Sequence, residues 1–172
     1  MVDFHAGITQ QLEPFASYIV GDPLASLVAL KGRPGEAELN GGVPFCSADG
    51  LALDKAFGRL GWGFGTDDTR RWCGIVLVRP DKPPLSTQDI RLLCEIIDPL
   101  TIVSLDETAR ISLIGAFESA EEGFLADFTS GSQTWILGRH LVSVEDFEDS
   151  LVDEGTKQKA WAQLKRCTAS KP

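Results

Sequence analysis

The stretch "SLVALKGRPGEAELNGGVPF", residues 26–45, decides the fold class. Its opening, residues 26–30, is a short, almost continuous apolar run, as expected of a strand covered on both faces of a sheet. Behind it lies a strap, residues 31–45, too rich in glycine and proline for a helix and too long for a tight turn. Loops of that length inside a compact domain are usually functional or disordered. The strap is therefore expected to form one wall of a ligand crevice.

Three further apolar runs repeat the pattern. "RWCGIVLV" (71–78), "TIVSL" (101–105) and "TWILG" with "HLVSV" (together 134–144) read as strands. The expected strand cores are 26–30, 74–78, 101–105 and 135–144, the last interrupted near Gly138. Helix-length segments separate them. Leu51, Leu53, Phe57 and Leu60 have near-helical spacing. Ser86 and Asp89 make an S-x-x-D helix start, and Asp106 can cap the helix that follows the third strand. Residues 4–20 read as helical with a break or kink at Pro14. The alternation predicts one domain over 1–172, a three-layer α/β/α sandwich with a four-stranded, mainly parallel sheet. In such sheets ligands sit at the carboxyl ends of the strands. The strap, the "RPDKPP" loop and the segment after Val144 all fall on that edge.

Composition narrows the function classes. A chain of 172 residues with 43% hydrophobic content has enough length for a core. No run approaches the ~20 apolar residues of a membrane span, and the N-terminus lacks a signal-peptide pattern. A cytoplasmic protein without membrane contact is expected. Cys46, Cys73, Cys94 and Cys167 are scattered, with no CxxC pair, so no zinc site is expected. The net charge of −9 argues for weak DNA binding, because phosphate neutralisation needs Lys and Arg. Local basic sets around Arg70–Lys82 and Lys157–Arg166 read as solvated surface.

The order of segments from about 27 to 166 resembles the uracil-DNA glycosylase superfamily, most closely its iron–sulfur bacterial and archaeal branch. The matching pieces are "KGRPG…GGVPFCSADGLALDKAF", "VLVRPDKPP", "STQDIRLLCEIIDPLTIVSLDETA" and "KQKAWAQLKR". The resemblance implies that Pro34 and Gly35 shape the first loop and that Phe45 stacks on a base. It also implies substitutions. Gly32 stands where the family has a water-positioning glutamate, and Gly74 where it has a base-reading asparagine. Asp146 stands where the family has a histidine that stabilises the departing base. Cys94 fits one cluster ligand, but Val78 replaces another and no N-terminal CxxC exists, so no iron–sulfur cluster is expected. His140 lies too early to replace the histidine and reads as a strand-flanking side chain.

Three functions compete. The first is a uracil-DNA glycosylase-like protein with a degenerate site, whose pocket binds a base- or nucleotide-type ligand with little or no activity. Its ligand-binding candidates are Pro34, Gly35, Phe45, Gly74 and Asp146. The second is an active DNA glycosylase with rearranged groups, in which Glu36, Glu38 or Asp146 could position water. It requires a positive groove despite the acidic whole. The third is a protein-interaction module, for which Trp62, Phe64 or Phe124 would have to be exposed.

Overall fold

The fold, a computed structural model, describes residues 4–63, 69–118 and 124–169. Its strands in chain order are β1 (Ile19–Gly21), β2 (Leu27–Lys31), β3 (Cys73–Val76), β4 (Thr101–Ser104), β5 (Gln133–Ile136) and β6 (Arg139–Ser143). Among the described residues these six form one open sheet, ordered β1-β3-β2-β4-β6-β5. The inner four are parallel and derive from the four apolar runs. β1 and β5 add antiparallel edges, so the sheet is wider than the four strands expected.

Both additions have local causes. The first helix, α1 (Phe4–Leu12), ends well before residue 20, and Pro14 lies in a 3-10 turn over Glu13–Tyr18. Proline cannot supply the N–H that a continuing helix needs. The freed residues Ile19 and Val20 then pair with Ile75 and Gly74. The fourth apolar run splits because Leu137 (φ 48°) and Gly138 (φ 77°) are both left-handed. That is the backbone of a tight hairpin turn, and it folds Trp135 back onto His140.

The remaining helices are α2 (Glu36–Leu39), α3 (Ala48–Arg59), α4 (Thr87–Ile97), α5 (Glu107–Phe117), α6 (Phe147–Ser150) and α7 (Glu154–Leu164). Alternate strand residues point to opposite faces. Val28, Leu30, Ile75, Ile102 and Leu141 pack with Leu93 of α4 and Leu113 of α5. Leu27, Ala29, Val103 and Val142 pack on the other face with Phe57 of α3 and Leu164 of α7. Helices therefore cover both faces, in three layers. The start signals read in the sequence operate: Ser86 and Asp89 form a capping box, and Asp106 accepts the Ala109 N–H at 2.8 Å. Among the described residues no helix is long and apolar enough to cross a membrane.

Candidate functional site

The carboxyl ends of β2 and β4 meet the strap and the α6 segment around a pocket of about 250 Å³. Its centre is Lys31, the last residue of β2, only 3% exposed. Its Nζ donates to Glu38 Oε2 at 2.8 Å and to Asp49 Oδ2 at 2.6 Å, and lies 3.5 Å from Glu148 Oε2. Burial alone would lower the Lys31 pKa, but the hydrogen bonds and charges of Asp49 and Glu38 outweigh it and raise the pKa above the ordinary lysine value. Lys31 is therefore a fixed cation.

Two carboxylates around it are already satisfied. Glu38 also accepts the N–H groups of Gly35 (2.7 Å) and Phe45 (2.7 Å), which ties the two ends of the strap together. Asp106, besides capping α5, accepts the Gly32 and Arg33 N–H groups at 2.9 and 3.0 Å. Asp49 differs. Its Oδ2 holds Lys31, while its Oδ1 is buried and finds no hydrogen-bond partner among the described residues. An ionised oxygen left in that state is costly, so a donor reaching it gains more than one exposed to water.

The outer wall is acidic. Asp146, Glu148 and Asp149 line the pocket beside Arg33, whose Nη2 meets Asp146 Oδ2 at 2.5 Å. A hydrogen bond to Asp146 pushes the Asp149 pKa up, because two adjoining carboxylates resist joint ionisation. Lys31 and Arg33 face five lining carboxylates, those of Asp49, Asp106, Asp146, Glu148 and Asp149. Such a wall favours N–H donors and cations and disfavours phosphate.

The residues singled out in the sequence separate into two groups. Pro34, Gly35 and Asp146 do line the pocket. Glu36 is exposed and does not line it. Glu38 is buried as a partner of Lys31. Phe45 is 1% exposed and belongs to the core, contrary to its expected place on the pocket wall. Its ring meets Trp72 edge-on at 5.4 Å. Its left-handed backbone (φ 58°), unusual for a bulky residue, is held by the bond to Glu38 and by that packing. Gly74 explains the fit: a Cβ there would stand 2.7 Å from the Phe45 ring, so the two form a packing pair. Gly32 is equally committed, because a Cβ would come within 2.6 Å of the Ala109 nitrogen and Asp106 Oδ1.

His140 sits at the other end of the sheet, stacked on Trp135 and 2.8 Å from Gln133 Oε1. Trp62 is half-buried and donates from its indole nitrogen to the Cys167 carbonyl. Phe64 and the Phe124 side chain lie outside the described residues. Of the four cysteines, Cys46 is exposed and Cys73, Cys94 and Cys167 are buried. Cys94 lies on the buried face of α4, within the core, and Val78 packs against that same core. Among the described residues no three His, Cys, Asp or Glu side chains are grouped to hold a metal ion.

Sequence reasoning missed Lys31, Asp49 and Glu148. The signal present was a lysine closing a strand run whose other members are nearly all apolar. The partners, at 38, 49 and 148, meet it only after folding. No family model matches the chain, and no curated protein is significantly similar to it.

Proposed function

We propose that the chain is a uracil-DNA glycosylase-like protein whose carboxyl-edge pocket binds a free nucleobase or nucleoside through N–H groups and does not excise uracil efficiently. The likeness of fold type rests on the ordered motifs of residues 27–166. The ligand chemistry rests on one observation: Asp49, a lining residue of the pocket, keeps an unpartnered Oδ1 buried from solvent, which a ligand donor would reach through a small shift of the Asp49 side chain. A carboxylate accepts well from an exocyclic amine such as the cytosine N4–H₂. The surplus of acidic groups favours a base over a nucleotide, since a phosphate would meet Asp146, Glu148 and Asp149.

Weak excision follows from the same wall. Leaving uracil carries negative charge, which a catalyst must stabilise with preorganised donors. Asp146 brings like charge beside the leaving group, and the ammonium of Lys31 is committed to Glu38 and Asp49, with Glu148 3.5 Å away. Gly32 has no room for a water-positioning side chain.

The test is a calorimetric titration with cytosine, uracil and cytidine monophosphate, run beside a uracil-release assay on single- and double-stranded DNA. Cytosine is expected to bind best and the phosphate to weaken binding. Asp49→Asn can still accept from Lys31 but presents an N–H where Oδ1 stood. It should lose about 10- to 150-fold in cytosine affinity, the equivalent of one hydrogen bond to a charged group. Preference for the phosphate-bearing ligand, or robust uracil release, overturns the reading.

A further inference from the structure

A second concavity lies on the α3 and α7 side of the sheet. It is a groove of about 630 Å³ whose floor includes Ala52, Ala56, Leu151 and Trp161. Leu51 stands on its edge, 65% exposed. The rim carries Lys55, Arg59 and Lys157 against a single acid, Glu154. All three cations are exposed, and no carboxylate pairs with them among the described residues. On a chain of net charge −9 this is a local positive strip.

We infer that this groove docks an acidic amphipathic helix of a partner protein. Spacing supports a helical occupant. Leu51, Lys55 and Arg59 recur every four residues along α3, and Glu154, Lys157 and Trp161 recur every three or four along α7. Each helix thus exposes one stripe toward a shared channel, into which a third helix can lay apolar residues at i, i+3, i+4 and i+7. Charge selects an acidic partner, because its flanking carboxylates would meet three exposed cations that pair with no carboxylate among the described residues. The remaining cations nearby are already occupied: Lys159 pairs with Glu145 at 2.8 Å, and Lys165 lies over the Trp161 ring. The groove is separate from the acidic pocket, although Phe147 of α6 borders both.

The probe is a fluorescent peptide with leucines at i, i+3, i+4 and i+7 and glutamates on its other face, compared with a version carrying lysines instead. Fluorescence anisotropy should show binding of the glutamate peptide, weakening as salt screens the rim. The lysine version should bind at least tenfold more weakly. Trp161→Ala, which removes the largest floor side chain, should cost about 30-fold or more, as a central aromatic anchor does. The double variant Lys55→Glu/Arg59→Glu leaves the floor intact and should reverse the peptide preference, which keeps the test decisive should Trp161→Ala misfold. Equal binding of both peptides, or binding of neither, overturns the inference. So does concentration-dependent self-association abolished by Leu51→Glu, or capture of laurate in place of peptide.

Discussion

Replacing Lys31 by Met removes the one cation that the buried carboxylates share. Glu38 and Asp49 are 1% and 2% exposed, and Lys31 holds both within 2.8 Å. Breaking a buried pair by deleting one partner costs about 3–5 kcal/mol, since an uncompensated charge stays behind. A domain of this size shifts by roughly 2–4 °C per kcal/mol, so Tm should fall by about 6–20 °C. The pH dependence adds a signature. With its folded pKa raised above the ordinary 10.5, Lys31 contributes stability that is complete below that value and lost as pH rises through the folded pKa. The native protein should therefore show no Lys31-linked loss near neutrality. In Lys31→Met the carboxylates left without the cation resist ionisation, so the variant should gain stability relative to native as pH falls toward 4. The triple variant Lys31→Met/Glu38→Gln/Asp49→Asn should recover much of the loss. Thermal melts by circular dichroism across pH 4–8 read all of this. A loss below about 1 kcal/mol, typical of exposed pairs, would refute the claim that one buried network holds the strap.

Other outcomes follow from packing. Phe45→Ala should cost about 3–5 kcal/mol as a core truncation, with ligand affinity at Asp49 little changed; a specific loss of base binding at unchanged stability would return Phe45 to the pocket wall. Gly32→Ala should destabilise by about 1–3 kcal/mol through overpacking against α5, and an unaltered Tm would contradict the contacts at Thr108 and Ala109. Burial pushes the thiols of Cys73, Cys94 and Cys167 up to about 12, while Cys46 is exposed. Ellman's reagent at pH 8 should therefore modify one thiol quickly in the native protein and all four after denaturation. Rapid modification of a second thiol would show that the core opens locally.

Much of the architecture was legible because it depends on local patterns. Three buried runs, the Ser86–Asp89 box and the Asp106 cap are each contained in a few consecutive residues and appear where the pattern puts them, while the fourth run folds into a hairpin whose outer strand, β5, is partly exposed. β1 was not legible. Ile19, Val20 and Gly21 are too few to show a period, and their conformation is settled by pairing with β3. The site was less legible still. Lys31 gathers carboxylates 7, 18 and 117 positions away, and no spacing rule links them. Glu38 could be read as a solvated loop residue, but its burial follows from three simultaneous bonds that exist only in the folded strap.

Those bonds also decide what the strap does. Its glycines suit a backbone that approaches a ligand, yet two of its amides, at Gly35 and Phe45, are turned onto Glu38. Two more, at Gly32 and Arg33, are turned onto Asp106. The amides that could have bound an anion are thus occupied by the protein's own carboxylates. The same anchoring drives Phe45 into the space above Gly74, so the aromatic and the strand position facing it stabilise each other rather than a guest. What is left open is the short wall between Lys31, Asp49 and the acidic turn of α6. Among the described residues, the lining side-chain atom that is buried without a hydrogen-bond partner is an acceptor, Asp49 Oδ1. A strap whose composition suits the reception of negative charge has turned these four amides onto the protein's own carboxylates, which is why the proposed ligand of the bordering pocket is a donor and not an anion.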